Sequence, residues 1–477
     1  MLFSSLEFIL LFLPVTYSVY FLLPIKIKNY WLLIVSLFFY AWGEPTFVLI
    51  MIGSIIINYI LALRIDELEV GKRGRKIVLI IDVILNLGIL VVFKYLNFIT
   101  ATLVQWFPVA KNTVQVTNIA LPIGISFFTF QALSYVIDVY REKVPAQRNI
   151  GYLGLYISLF PQLIAGPIVR YSTIMEQITY RKTTISSFSD GMLRFVKGFN
   201  KKILLANVLS EVADAAFSAN GGSVCMAWLG AICYSLQIYY DFSGYSDMAI
   251  GLGKMLGFQF LENFDAPYLS KTITEFWRRW HISLGTWFRD YVYFPLGGSR
   301  VKTKTRLITN LMVVWLLTGI WHGANWTFIL WGVLYGVMII FEKLTSIPKK
   351  IGNWHKGEAI LYRIFTLLLI LLGWVLFRSE NLQYAWIYLT SLFGLAGNTL
   401  VGNDIIFYGR EYIVFLAFGV ICCLPIKKWL CSANGNKCIK ACSAIDGIGY
   451  VIQLILFIFS FSMLVMNAHN PFIYFNF

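Results

Sequence analysis

The sequence predicts an all-α integral membrane protein built of many spanning helices. Hydrophobic residues make up 58% of the 477 residues and charged residues only 13%, whereas a soluble globular protein carries about 45–50% apolar and about 25% charged residues. The mean hydropathy of the chain is +0.70. These values exclude an ordinary soluble enzyme, because the chain has too few charges, and they exclude a disordered chain, because it has too many apolar residues.

Apolar stretches of spanning length follow one another along the chain. A helix needs about 20 apolar residues to cross about 30 Å of hydrocarbon. No repeat or soluble segment separates the stretches, so we expect a single integral membrane domain over residues 1–477. The spans or span-like segments are expected near 8–23, 30–42, 46–63, 77–103, 117–139, 151–169, 203–218, 224–240, 243–258, 307–321, 324–342, 359–377, 411–425 and 447–466.

The positive charge of the chain fits a membrane topology. The 39 Lys and Arg residues exceed the 24 Asp and Glu residues by 15, which on a soluble protein would indicate nucleic-acid binding. In a membrane protein the basic residues collect in cytoplasmic loops, so we expect no nucleic-acid partner. Basic loops follow the first, third and fifth segments, and the last basic loop spans residues 427–440. This alternation places both chain ends outside.

Two apolar segments do not fit the alternation. Residues 151–169 separate Arg148 from Arg181, although both flanks are expected in the cytoplasm. We therefore expect this segment to dip into the membrane and return, with Gly166-Pro167 as the break. Non-helical backbone at membrane depth is tolerated only where it is buried in protein or lines a water-filled cavity. The segment thus indicates a cavity in the membrane.

Residues 307–342 form the second such segment. Basic residues flank both of its ends, and one straight helix of this length would run about 54 Å, too long for a single span. We expect a hairpin centred on residues 319–325, which include His322. A buried neutral imidazole can accept a proton from a hydroxyl as a general base. A structural histidine that forms a hydrogen bond across helices is the alternative.

His281 lies in a segment rich in Trp and Arg. At helical spacing Trp277 and Arg278 share its face, and the pattern is typical of an amphipathic element at the cytoplasmic interface. Arg278 and Arg279, together with Trp280, could bind the phosphates of a cytosolic thioester. An aromatic anchor at the membrane interface explains the same pattern equally well.

A polar stretch, Tyr239–Asp247, separates two apolar stretches. Its two carboxylates, Asp241 and Asp247, could orient a His or an Arg, or the stretch could be a polar turn that satisfies its own polar groups. His355 and His469 lie in a basic loop and in the tail, and both are expected to be solvated. The spacing of the Cys and His residues does not indicate a metal site.

Five motifs occur in order along the chain, and together they resemble the membrane-bound O-acyltransferase family over about residues 1–465. Within that family the resemblance is greatest to the bacterial membrane components of alginate O-acetyltransferases. The ordered set is specific, although one motif alone would not be. The motifs are Leu121–Gln131 (LPIGISFFTFQ), Phe160–Pro167 (FPQLIAGP), Tyr240–Asp247 (YDFSGYSD), Phe276–His281 (FWRRWH) and Trp321–Gly323 (WHG).

The resemblance implies a ring of tilted helices around a tunnel, in the cytoplasmic membrane of a bacterium. His322 matches the catalytic histidine of the family and His281 its second histidine, and Gln131 and Gln162 are expected to support the site. No tightly bound cofactor is implied. The donor is acetyl-CoA or an acyl-carrier thioester. The implied partners are membrane lipids and an extracytoplasmic SGNH-type acetyltransferase, or a similar protein, that acylates a polysaccharide or cell-wall glycan.

The expected reaction is attack of an acceptor hydroxyl on the thioester carbonyl. His322 removes the hydroxyl proton, and Trp321 or Asn325 donates to the developing oxyanion. Three alternatives stay open. They are D-alanyl transfer to teichoic acid from a carrier protein, a glycan or lipid transporter with broken spans but no acyl chemistry, and an inactive scaffold that recruits an extracellular transferase.

Overall fold

The computed structural model describes residues 1–107, 109, 113–426, 438–466 and 473, and within 438–446 it describes the backbone alone. Across these ranges the chain is helical and contains no β-strand, as the sequence predicts. The side chains of the basic loop at 427–440 and His469 lie outside the described part. The chain packs into two compact units, one formed by Met1–Met192 and Met248–Leu261, the other by Leu193–Asp247 and Glu262–Phe477. The single domain expected over residues 1–477 stays a prediction.

The first unit is built of long and short helices. Helices α3 and α4 are long and apolar enough to span a membrane, and α1 and α5 are shorter apolar helices. The helices of this unit are α1 Phe8–Leu22, α2 Ile25–Gly43, α3 Val48–Glu67, α4 Arg73–Trp106, α5 Ile125–Tyr140, α6 Ile150–Ser158, α7 Phe160–Leu163 and α8 Tyr171–Thr179.

The segment 151–169 is broken, but the first break precedes the expected one. Helix α6 ends at Ser158, and the backbone leaves the helix at Leu159 before α7. The cause is Pro161, which has no N–H to continue the helical ladder and is tolerated only in the first turn of a new helix. The chain is non-helical again around Gly166-Pro167, and residues 153–169 are all buried. Buried irregular backbone is the feature that the loop charges predicted.

The second unit begins within α9 Ile185–Asn200, which continues through a π-helical stretch, Lys201–Asn207, into α10 Val208–Ser218. Helices α15, α17 and α19 and the end of α20 (Gly447–Met466) are long and apolar enough to span a membrane. The remaining helices are α11 Val224–Met255, α12 Ile273–Arg279, α13 Ile282–Phe288, α14 Lys304–His322, α15 Trp326–Thr345, α16 Ile347–Lys350, α17 Lys356–Arg378, α18 Leu382–Leu392, α19 Asn403–Cys422 and α20 Cys438–Met466.

The expected separation of the segments 224–240 and 243–258 is wrong, and with it the possible turn at Tyr239–Asp247, because α11 is one continuous helix of 32 residues. Charged partners from another part of the chain stabilise its buried carboxylates. Lys202 Nζ lies 2.6 Å from Asp241 Oδ1, and Lys201 Nζ lies 2.7 Å from Asp247 Oδ2. A carboxylate that has an ionic partner does not need a turn to reach water.

The hairpin expected over residues 307–342 is confirmed. Helices α14 and α15 pack against each other, and the link between them contains Gly323 and Asn325. Two glycines permit the close approach. A Cβ added to Gly319 would lie 2.5 Å from Phe328 O, and one added to Gly332 would lie 2.5 Å from the Trp315 carbonyl oxygen. Small residues at helix contacts serve this purpose in membrane proteins.

Candidate active site

His322 is the last residue of α14, at the link of the hairpin. Helix α15 begins after Asn325, whose side-chain Oδ1 accepts a hydrogen bond from Thr327 N at 3.0 Å. Such a cap satisfies an N–H group that a helix start leaves without an intrahelical partner. A Cβ added to Gly323 would lie 2.2 Å from Phe328 Cε2. The link that carries His322 therefore needs glycine next to the histidine.

Aromatic rings surround the His322 imidazole, which is 5% exposed. Its ring centroid lies 5.0 Å from those of Trp321 and Trp331, and 5.1 Å from that of Phe377, each with the ring planes near perpendicular. Edge-to-face geometry of this kind is favourable for aromatic pairs. The packing fixes the position of the imidazole and keeps bulk water away from it.

His281 lies between two short helices, α12 and α13, in a left-handed backbone conformation with φ 45° and ψ 56°. This conformation costs a non-glycine residue about 1–3 kcal/mol and persists only where the surroundings enforce it. The ring is 3% exposed. Its centroid lies 4.6 Å from that of Phe242 and 6.1 Å from that of Trp321. Strained residues of this kind cluster at functional sites.

A buried asparagine, Asn263, holds both sides of this strained turn. Its side-chain Oδ1 lies 3.2 Å from His281 Nδ1 and accepts hydrogen bonds from Ser283 N at 3.1 Å and Ser283 Oγ at 2.9 Å. Its Nδ2 donates to Ser246 Oγ at 3.1 Å, and its backbone oxygen accepts from Ile282 N at 2.9 Å. Burial lowers the pKa of His281 from its usual value to about 3, so this imidazole is neutral near pH 7.

Both histidines line one cavity of about 210 Å³. Its walls are mainly aromatic and aliphatic, and two cations, Arg278 and Arg289, also line it. The arginines are exposed, whereas the imidazoles are buried. A bound molecule can thus meet anion-binding groups at the solvent side and imidazoles deeper in the protein. Both predicted histidines belong to the same cavity.

The three neighbouring side chains of Arg278, Arg279 and Trp280 lie in different environments. Arg278 is exposed and lines the cavity. Arg279 instead pairs with Glu275 Oε1 at 2.8 Å and donates to the backbone oxygen of Asp265 at 3.2 Å. Trp280 is buried and lines the cavity, stacked on Phe276 with ring centroids 5.6 Å apart. Of the two arginines, Arg278 has the geometry of a donor-binding group.

Both the oxygen and the nitrogen of the Asn325 side-chain amide form hydrogen bonds within the protein. Besides capping α15 through Oδ1, it donates from Nδ2 to the backbone oxygen of Glu380 at 2.6 Å. These bonds give the amide a structural role, and the expected role of Asn325 as an oxyanion donor stays a prediction. Trp321 contacts the rings of both histidines and keeps that expected role as a prediction.

Asp241 is part of the packing of the second unit. It is buried in α11, forms the ion pair with Lys202, and accepts a hydrogen bond on Oδ2 from Ile473 N at 2.8 Å. These contacts join α11 to the stretch after α9 and to the C-terminal tail. The described contacts of Asp241 therefore do not include a histidine or an arginine of the candidate site.

Gln131 and Gln162 belong to the first unit, whereas the cavity belongs to the second. Both glutamines are fully buried and both contact Tyr156. Gln162 Nε2 donates to Tyr156 O at 2.6 Å, and the Tyr156 hydroxyl donates to Gln131 O at 3.2 Å. Their expected supporting role stays a prediction.

Sequence reasoning missed Asn263, Ser283 and Arg289. Asn263 precedes His281 by 18 residues, in a stretch without helical periodicity, so no pattern connects the two. Ser283 follows His281 by two positions, a spacing that does not place two residues on one helix face. Arg289 was visible as a member of the Trp and Arg segment but had no feature to separate it from its neighbours. His355, expected to be solvated, is exposed.

Comparison with known proteins identifies residues 148–378 as matching the membrane-bound O-acyltransferase family. The chain is 44% identical to the probable alginate O-acetylase of Pseudomonas aeruginosa over 389 residues, which cover 81% of this chain and 74% of that protein. It is 34% identical to the peptidoglycan O-acetyltransferase of Helicobacter pylori over 532 aligned positions, 100% of this chain and 98% of that protein. A more distant match, the teichoic acid D-alanyltransferase of Bacillus subtilis, is 28% identical over 284 residues, 56% of this chain and 71% of that protein.

Helical architecture and family match together define a multi-pass membrane acyltransferase. The matched region contains the hairpin, both histidines and Asn263. The chain belongs to the membrane-bound O-acyltransferase family, in its alginate O-acetyltransferase branch. It is therefore an O-acyltransferase, which favours the enzyme over the transporter and the inactive scaffold.

Proposed function

We propose that this chain moves an acetyl group from a cytosolic thioester across the membrane for O-acetylation of an extracytoplasmic polysaccharide or cell-wall glycan. The observation that carries the proposal is the cavity shared by buried His322 and His281 and by exposed Arg278 and Arg289. The alginate and peptidoglycan O-acetylating relatives support the acetyl group and the class of acceptor. The distant D-alanyltransferase relative keeps D-alanyl transfer from a carrier protein as the second candidate.

His322 acts as the general base in this reaction. The oxygen of an acceptor hydroxyl attacks the thioester carbonyl while the imidazole takes the hydroxyl proton. Collapse of the tetrahedral intermediate breaks the carbon–sulfur bond, and the departing sulfur takes the proton from His322. The products are an acetyl ester and a free thiol. The thioester is already activated, so no acyl intermediate on this chain is required.

Arg278 and Arg289 bind the phosphates of the donor, because arginine forms bidentate, charge-assisted hydrogen bonds with phosphate. The cavity volume of about 210 Å³ is below the roughly 300 Å³ at which pockets for drug-sized ligands begin. This size favours a short acyl group over a long fatty chain. Acetyl-CoA fits these features, and an acyl-carrier protein would present the same phosphopantetheine arm. No tightly bound cofactor takes part.

A partner protein supplies the acceptor hydroxyl. A glycan polymer is too large for a small cavity lined by buried rings, whereas one serine side chain of an extracytoplasmic SGNH-type transferase is not. The partner then passes the acetyl group to the glycan. The proposal includes a bacterial cytoplasmic membrane location, with the donor side in the cytoplasm and, from the loop charges, both chain ends outside.

The proposal is tested with membrane vesicles that contain the chain and its partner, supplied with radiolabelled acetyl-CoA. His322→Ala is expected to reduce acetyl transfer by about 10²–10⁴-fold, the usual contribution of general acid–base catalysis. His355→Ala is the matched control, because His355 is exposed, and it should retain wild-type transfer. Normal transfer by a folded His322→Ala protein would refute the assignment, and labelling only from a D-alanyl carrier would move the proposal to the second candidate.

A further inference from the structure

The backbone N–H of Ser283 determines which atom of the Asn263 side-chain amide faces the turn. The backbone N–H of Ser283 can only donate, and it points at Asn263 Oδ1 at 3.1 Å. A flipped amide would place two donors against each other there. Asn263 Nδ2 instead faces Ser246 Oγ at 3.1 Å, which can accept. The hydrogen-bond network therefore assigns the oxygen to the His281 side.

The position of this oxygen determines the tautomer of His281. An amide oxygen accepts hydrogen bonds and cannot donate, so His281 Nδ1, 3.2 Å away, must carry the hydrogen. The Ser283 hydroxyl uses its own proton on the same oxygen at 2.9 Å. Its Oγ can then accept a share of the Nδ1–H bond, since the two atoms lie 3.4 Å apart. In a neutral ring the other nitrogen, Nε2, holds the lone pair.

We infer that Asn263 is a positioning residue, which holds His281 in the tautomer with hydrogen on Nδ1 so that Nε2 accepts a hydrogen bond from a substrate O–H or N–H. This inference rests on the proposed function, since it gives His281 its part in the acyl transfer. His281 then accepts a hydrogen bond and, because it is neutral, does not bind the phosphates of the donor. That task belongs to the exposed arginines of the cavity.

The surroundings of His281 agree with a fixed neutral ring. Phe242 from α11 and Trp321 from α14, which contact the ring, have no charge. The titratable and charged groups that line the same cavity are Arg278, Arg289, Tyr293 and His322. The two arginines disfavour a further positive charge nearby. The left-handed backbone at His281 shows that the surroundings hold the residue against a local cost.

The first experiment replaces the neutral oxygen by a charged one. Asn263→Asp keeps an acceptor at Oδ1 for both Ser283 and His281, but its carboxylate stabilises the imidazolium and raises the pKa of His281. Below the raised pKa, Nε2 carries a proton and can no longer accept. We expect Asn263→Asp to lose at least tenfold in kcat between pH 8 and pH 5, relative to the change in wild type over the same range.

The matched control is Ser246→Ala, which removes the partner of Nδ2 and leaves the contacts of Oδ1 intact. Its pH profile should keep the wild-type shape. An Asn263→Asp protein with an unshifted profile would overturn the inference, as would an equal loss at every pH in a folded variant, because either result indicates a merely structural role.

A second measurement separates this inference from the proposed function. In wild-type protein labelled with ¹⁵N-histidine, the His281 signal, assigned by its loss in His281→Gln, should show a protonated Nδ1 and an unprotonated Nε2. A protonated Nε2 would refute the inference even if His322 proves to be the catalytic base. Conversely, a result showing that His322 is not the catalytic base would leave the expected tautomer of His281 unchanged. The measurement needs no turnover and no variant of Asn263.

Discussion

The two histidines of the cavity are held by different means. The hydrogen bond that His281 Nδ1 donates to Asn263 Oδ1 fixes the ring of His281 and the nitrogen on which it carries its hydrogen. Aromatic rings hold His322 in position at the end of α14. The described ring contacts of His322 specify where its imidazole lies, and the described hydrogen bond of His281 also specifies its tautomer. The comparison indicates that His322 is suited to moving a proton and His281 to offering a fixed acceptor.

The sharpest test of this difference replaces each histidine by glutamine, whose carbonyl oxygen lies near the position of Nε2. Glutamine accepts a hydrogen bond but does not take up a proton near pH 7. We expect His322→Gln to lose about 10²-fold or more in kcat, and His281→Gln to lose only about tenfold. Initial rates of acetyl transfer measure both. Equal losses would show that the two residues do not differ in this way.

A steric clash in the hairpin link, which carries His322, is expected to have the second-largest effect. In Gly323→Ala the new Cβ would lie 2.2 Å from Phe328 Cε2, and overpacking of this kind costs about 1–3 kcal/mol. Lower thermal stability and a lower kcat are expected, with partial recovery in the double variant Gly323→Ala/Phe328→Leu. Gly357→Ala is the control, since its Cβ would meet open space. An unchanged melting temperature in Gly323→Ala would contradict the packing argument.

Substitution of Arg278 and of Arg279 should change the KM for acetyl-CoA to different extents. This difference is expected to be smaller than the two effects above. Arg278→Gln is expected to raise KM for acetyl-CoA about five- to tenfold, because one charge-assisted hydrogen bond is lost. Arg279→Gln removes an ion pair that is partly exposed, and such pairs contribute about 0–1 kcal/mol to stability, so its KM should stay near the wild-type value. Steady-state kinetics in vesicles decide between them. A larger KM effect at Arg279 would move donor binding away from the cavity.

The smallest effect expected is on acid stability. The pKa of His281 is about 3 in the folded protein and about 6.5 in the unfolded chain. Between these values the unfolded state binds more protons, so the stability falls as the pH is lowered. At pH 5.5 the loss from this residue is about 1.4 kcal/mol. His281→Gln should therefore lose less stability than wild type between pH 7.5 and pH 5.5, as measured by thermal melting in detergent.

Local features of the sequence predicted much of this architecture. Loop charges placed the irregular segments at 151–169 and 307–342, and both are interrupted in the structure. The break at Leu159 was not predicted. Pro161 ends the helix that precedes it, because it has no N–H to donate back into that helix. The continuity of α11 was missed because its carboxylates looked like turn residues. Their partners, Lys201 and Lys202, are distant in sequence.

The sequence by itself determined the membrane class, the hairpin and the choice of His322, because hydropathy, loop charge and spacing are properties of neighbouring residues. Only the tertiary structure decided that His281 and His322 share a cavity and that Arg278, rather than Arg279, lines it. The same holds for the hydrogen bond to Asn263 Oδ1 that orients His281. Such contacts join residues far apart in the chain and repeat with no period. Their geometry exists only once the helices have packed.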